Sequence, residues 1–275
     1  MKIFAPAIIA LAAAAVLSAQ PPAAGLGQDV KPATKAGPMP RANGHPDFSG
    51  VWQVVGRGGG AAFDVEDHLK NVYGIPPGKG VVVDPPDGKI PYLPEADARR
   101  NDLVAHHLFD DPQAHCVLSG VPRQIYAPFG FTILQPAGYT VIMFEAFHAY
   151  RIIPMDGRPH LPAAIKLYEG DSRGRWEGDT LVVDVTNQND KTWFDMAGNF
   201  HSDAIHVVER YSPVDANTIG YEATIEDPKT FSRPWKIAFP ISRITRPGYE
   251  MMEFSCVEGE RDLQHYTVGE GANKK

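Results

Sequence analysis

Between residues 139 and 241 the chain alternates dense runs of β-branched and aromatic residues with short clusters of turn-formers. That rhythm restricts the fold more than any other feature. Period-two runs of this length, bounded by Gly, Pro, Asn and Asp, read as strands. The reading gives strands over 139–147, 148–153, 165–169, 180–185, 204–211, 218–225, 235–241 and 250–256. Asp156-Gly157 is a turn, and Glu177-Gly178-Asp179 closes a tight hairpin between the polar run 171–179 and the strand after it. Upstream, residues 47–55 read as a first strand and 57–60 as a glycine loop. That loop lacks the Gly-Lys-Ser/Thr ending of a phosphate loop. Residues 94–108 form the best helix: Pro94 suits a first helical position, and Glu95 and Asp97 suit the positive end of the helix dipole. The 26 glycines and 25 prolines are spread along the chain, as many short strands and turns require. The expected fold is mainly β, an antiparallel closed barrel with one or two short helices. A β-sandwich is the alternative, because alternation alone does not distinguish closure from two packed layers.

The first residues read differently. Lys2 precedes an apolar run to Leu17, with small residues at Ser18 and Ala19, which is the layout of a secretory signal peptide. The run is shorter than the roughly 20 residues that span a bilayer. We expect a signal peptide over 1–24, a flexible leader over 25–45, one β domain over 46–268 and a polar, disordered tail over 269–275. The expected location is the periplasm or the exterior. The formal net charge is −7 with both signs interspersed, so no basic surface marks a nucleic-acid partner. No later stretch predicts membrane insertion of the mature chain. The two cysteines, Cys116 and Cys256, can pair in an oxidising compartment. A bridge would close a loop of about 140 residues and stabilise by roughly 4–5 kcal/mol in the chain-entropy model.

Three groups of residues can carry chemistry. Glu145 sits among bulky apolar residues, with Arg151 as a partner if the flanking strands pair, and with His148 and His160 nearby in sequence. A carboxylate beside aromatic walls can have a raised pKa and act as base or acid; the plainer reading is an ion pair joining two strands. The polar stretch holding Trp193, Asp195, His201, Ser202 and Asp203 can set His201 against a carboxylate as an acid–base pair, or be a solvated loop. Arg123 precedes Tyr126 and Phe129 and can bind a phenolate or carboxylate, or cover those rings with its stem. Glu209 and Arg210 are neighbours on a strand, so one of them faces inward. No His-Glu-x-x-His or paired Cys-x-x-Cys spacing marks a metal, and no cofactor is expected.

The segment Gly174-Arg175-Trp176-Glu177-Gly178-Asp179-Thr180-Leu181-Val182-Val183-Asp184, with Pro46-Asp47-Phe48-Ser49-Gly50-Val51-Trp52, Val207-Val208-Glu209-Arg210-Tyr211 and Glu226-Asp227-Pro228, resembles a family of exported bacterial proteins with a lipocalin-like barrel. The resemblance spans nearly the whole mature chain. It implies a cofactor-independent lyase that cleaves a carbon–carbon bond and releases formaldehyde from lignin-derived aromatic dimers. No catalytic residue is carried over from it. From the residues alone we expect Glu145, Arg151, His201, Asp195 and Arg123 as catalytic groups. Tyr126, Phe129, His148, His160 and Trp193 are expected to line the site of a small aromatic or apolar molecule. The alternative is a non-catalytic binding protein for the same class of ligand.

Overall fold

The structure, a computed structural model, describes residues 36–67, 78–107 and 110–254. Its centre is a ten-stranded antiparallel sheet. The strands are β3 (Gly50–Gln53), β4 (Val82–Asp84), β5 (Phe131–Leu134), β6 (Tyr139–Phe144), β7 (Tyr150–Pro154), β8 (Asp171–Glu177), β9 (Thr180–Thr186), β10 (His206–Asp215), β11 (Thr218–Glu226) and β12 (Trp235–Arg243). A small hairpin, β1 (Arg41–Ala42) with β2 (His45–Pro46), precedes them. The pairing order is β7-β6-β5-β3-β12-β11-β10-β9-β8, and β4 adds to β12.

The curl brings the two end strands together without a ladder. Arg151 on β7 donates to Ser172 Oγ on β8 at 3.0 Å. A Cβ added to Gly174 on β8 would meet Met155 Sδ at 2.3 Å and Ile153 at 2.9 Å. The result is a nearly closed antiparallel barrel of the lipocalin-like kind, with nine strands in its wall.

Register explains what fills it. One row across β8 to β12 is Ser172, Val185, Val207, Ile225 and Trp235; a second is Gly174, Val183, Glu209, Ala223 and Ile237; a third is Trp176, Leu181, Tyr211, Tyr221 and Phe239. Side chains on a strand alternate faces, so these rows share the inner face, and all but Trp176 are buried. Each large apolar chain removed from water contributes about 1.5–3 kcal/mol. The middle row is the exception, with small residues on either side of a carboxylate.

Helices are minor: α1 (Arg57–Gly60), α2 (Pro94–His106) and α3 (Arg123–Tyr126). The 57–60 stretch, expected as a loop, is thus one helical turn. Three further expectations are corrected. The strand expected over 139–147 stops at Phe144, because Ala146–His148 turn with positive φ at Phe147 and His148. Residues 165–169 hold only an isolated bridge, Leu167 to Gln188. Residues 250–254 carry no strand; 255 and 256 lie outside the described residues.

The leader expectation also changes at its end. Residues 36–45 pack on the barrel: Met39 is buried, Ala216 N donates to Gly37 O at 2.8 Å, and Arg41 pairs with Asp179 at 2.9 Å. The expected signal peptide, most of the leader, Cys256 and the tail lie outside the described residues. Among the described residues, no helix is long and apolar enough to cross a membrane.

Candidate functional site

A buried polar cluster inside the barrel is built on β10. Val207, Glu209 and Tyr211 point inward while His206, Val208 and Arg210 point outward, so strand alternation resolves the choice between Glu209 and Arg210. Glu209 is 0 % exposed and Arg151, across the barrel on β7, is 3 % exposed. Glu209 Oε1 accepts from Arg151 Nη1 at 3.0 Å and from the hydroxyls of Tyr211 and Tyr221, each at 2.9 Å. Glu209 Oε2 accepts from Arg151 Nη2, which also donates to Ser172. Burial pulls the Arg151 guanidinium down, but the Glu209 carboxylate outweighs it, so Arg151 is held charged. Burial, and then the same carboxylate, push both tyrosines well above their ordinary range, so they act as hydrogen-bond donors. Arg151 Nε is buried and has no hydrogen-bond partner among the described residues.

A second carboxyl faces this cluster electrostatically. Glu169 precedes β8. Burial raises it to about 7, Arg151 and the Gly120 N–H pull it back, and Glu209 pushes it up again. Its Oε1 accepts from Gly120 N at 3.1 Å. Its Oε2 is buried with no partner among the described residues. A carboxyl that titrates near neutrality with one free oxygen can take up and return a proton at physiological pH.

The chain holds Glu169 there by backbone bonds. Asn187, at a positive φ of 61° just past β9, donates its side-chain Nδ2 to the carbonyls of Leu161, Pro162 and Ile165. Gln188 grips Val121 at both its N–H and its C=O, at 2.9 and 3.0 Å, which lays the segment before α3 across this end of the barrel. Gly170 completes the turn at φ +66°, and a Cβ there would lie 2.6 Å from Thr186 O. Gly170→Ala is therefore expected to cost about 1–3 kcal/mol and to shift Glu169. Thermal denaturation, together with the Glu169 titration, measures both effects.

The expected site residues do not converge. Glu145 does not pair with Arg151; β6 and β7 pair Ile142 with Arg151, and Glu145 lies beyond that ladder. Its oxygens accept from Gly130 N, Tyr249 OH and Met252 N, which tie the C-terminal segment to the barrel. Arg123 is buried in a two-pronged pair with Asp111, both contacts at 2.7 Å, and does not face a ligand site as a free cation. Tyr126 donates to Phe194 O. Phe129 meets Phe254 in a tilted contact, at 4.6 Å between centroids. His148 is exposed and lies 3.5 Å from Glu253.

His201 and Asp195 are not partners. His201 Nδ1 lies 2.9 Å from Ser202 O, so it donates there, and Nε2 accepts from Thr192 Oγ1 at 2.7 Å. Burial lowers its pKa, consistent with this neutral ring. Asp195 accepts from Val65 N, Ala197 N, Asn199 N and Asn199 Nδ2. Burial and then Asp64 raise it to about 8, but its oxygens are committed to the loops they join. Trp193 packs with Ala96 and Phe200 outside the barrel core. His160 sits on the outer wall between Asp171 and Asp184, at 2.8 and 2.9 Å. Of the expected catalytic residues, the structure brings only Arg151 into the barrel cluster.

Sequence reasoning missed Glu169, Ser172, Tyr211 and Tyr221. The alternation of Val207, Glu209 and Tyr211 was the available signal for the inner face of β10. Among the described residues, no group of three His, Cys, Asp or Glu side chains converges as a metal site. No protein-family model matches the chain, and no curated protein or solved structure matches it.

Proposed function

We propose that this protein is an exported, cofactor-independent lyase that cleaves a carbon–carbon bond in a small, lignin-derived aromatic compound and releases formaldehyde. The observation that carries the reading is Glu169, a carboxyl raised to about 7 by burial, with one enclosed oxygen that has no partner among the described residues, near the Arg151–Glu209 pair. Glu169 takes the hydroxyl proton of a hydroxymethyl group. The carbon–carbon bond breaks, and its oxygen-bearing carbon leaves as formaldehyde. The electron pair forms the new carbon–carbon double bond and expels the benzylic oxygen, which takes a proton back from Glu169. Arg151 Nε is the guanidinium N–H left to stabilise charge on that oxygen. Glu209, Tyr211 and Tyr221 hold Arg151 in place.

The test is direct. Purified mature protein incubated with aromatic dimers bearing a hydroxymethyl group should yield formaldehyde and stilbene in equal amounts. Tight binding across the panel with no aldehyde would replace the lyase with the second reading, a non-catalytic carrier of small aromatic molecules. That reading is favoured by a separate cavity of about 350 Å³ lined by Trp176, Tyr139 and Met155.

Export also carries the proposed bridge. Cys116 is not a free thiol, and Cys256 is the other cysteine of the chain. Non-reducing peptide mapping of the secreted protein should recover Cys116 linked to Cys256. Recovery of both as free thiols would reject the bridge.

A further inference from the structure

The barrel has two kinds of outer wall. Across β8 to β12 the outward positions include Arg175, Glu177, Asp184, Arg210, Glu222 and Lys236. They pair over the surface, Arg210 with Glu177 and Lys236 with Glu222, each at 2.9 Å. That is the ordinary solvent face of an antiparallel sheet. Across β5, β6 and β7 the same alternation turns out Thr132 and Leu134, then Tyr139, Val141 and Met143, then Tyr150 and Ile152. None of these side chains is charged.

Register joins them into one patch. Leu134, Val141 and Ile152 form one row, and Thr132, Met143 and Tyr150 the next. Tyr150 is 64 % exposed, Ile152 54 %, Met143 47 %, Leu134 42 % and Tyr139 36 %. Those fractions of large side chains leave about 500 Å² of mostly apolar surface in water, toward the upper end of the largest patch on a typical monomer. The rim is polar. Beyond the Tyr139 end, Arg158 pairs with Asp156 and donates to the Tyr139 hydroxyl at 3.3 Å. Beyond the Tyr150 end, His148 lies 3.5 Å from Glu253. An apolar centre inside a polar rim is the anatomy of a protein interface.

The surface suits a second copy of itself. Two such patches face to face remove about 1,000 Å² from water, the size at which specific interfaces begin. Each end of the rim carries an acidic and a basic side chain, so a copy in either orientation brings no block of like charge against another. An anionic bilayer is a poorer match, because the patch holds no Lys or Arg and Arg158 on its rim is already paired. The chain after Phe254 is also a poor cover, with Glu258, Glu260, Arg261 and Asp262 close together. We propose that the outer face of β5, β6 and β7 is the interface of a two-fold symmetric dimer of this chain. Tyr150 and Ile152 of each copy lie against the apolar patch of its partner. The dimer stands on this face alone and does not need the lyase reading.

Sedimentation equilibrium of the purified mature protein tests it. The wild type should pass from monomer to dimer by about 100 μM, as an interface of this modest size allows, and its melting temperature should rise with concentration. Ile152→Lys places a charge in the interface twice, once from each copy. It should weaken the dimer by about a hundredfold or more. Because Ile152 is exposed in the monomer, the dilute variant should melt with the dilute wild type. Tyr150→Glu should act in the same way, and Arg175→Ala on the charged wall should leave the dimer intact. A wild type that stays monomeric with a melting temperature independent of concentration would overturn the proposal. So would dimers of full strength in both Ile152→Lys and Tyr150→Glu, or open-ended assembly beyond the dimer. A monomer that sediments with phosphatidylcholine vesicles through Ile152 would give the face to a bilayer instead. Formaldehyde release, present or absent, leaves the dimer standing.

Discussion

Glu169→Gln should lower aldehyde release by roughly two to four orders of magnitude, the usual loss when a general acid–base group is removed, while the protein stays folded. Its pH signature follows from the raised carboxyl. As a base Glu169 must be ionised, so kcat/KM should fall as pH drops below about 7. Stability should move in the opposite direction. Below about pH 4.5, its ordinary value, the group is protonated in both folded and unfolded chains and costs nothing. Between 4.5 and about 7 the unfolded chain ionises first, and the folded state loses ground. Above about 7 the penalty is complete, about 3 kcal/mol for a shift of this size. Glu169→Gln should therefore melt higher than the wild type at pH 8 and alongside it at pH 4. A variant that loses activity and gains stability only at high pH has the mark of a strained working group. Wild-type turnover in Glu169→Gln would remove Glu169 from the reaction.

Glu209→Leu should have the largest effect on the fold. It strands the Arg151 guanidinium in the barrel with its counter-charge gone, and it removes the acceptor of both Tyr211 and Tyr221. Breaking a buried pair in this way costs about 3–5 kcal/mol, which lowers the melting temperature of a domain this size by about 10 °C. The double variant Arg151→Met/Glu209→Leu should recover the part of that stability lost to the stranded charge, because an apolar pair of similar bulk carries no desolvation penalty, while Tyr211 and Tyr221 still lack their acceptor. It should not recover aldehyde release, since Arg151 Nε is the donor assigned to the departing oxygen. Recovery of both would reduce the pair to a structural brace between β7 and β10.

The sequence made the wall of the barrel legible and left most of its contents hidden. The dense runs that became β9, β10, β11 and β12 were readable because alternation and turn residues are local signals, and so was the Pro94 start of α2. The four-residue β5 and three-residue β4 were too short to announce themselves. Arg151 was singled out, but with the wrong partner. Glu145 is near it in sequence, whereas Glu209 reaches it only because the barrel curls 58 residues back onto itself. Glu169 carried no local signal at all. Its raised value comes from burial, opposed by Arg151 and Gly120 and reinforced by Glu209, which come from three separate parts of the chain. His201 and Asp195, close in sequence and chemically apt, were turned apart by the backbone carbonyls and amides that each satisfies instead.

Selective ¹³C labelling of glutamate side chains, followed by NMR titration from pH 3 to 9, tests most sharply whether the barrel holds a working acid–base group. One glutamate resonance that vanishes in Glu169→Gln should titrate near 7 and shift when an aromatic dimer is added. If that resonance titrates in the ordinary carboxyl range and ignores the dimer, Glu169 is a surface acid and the barrel is a scaffold without this chemistry.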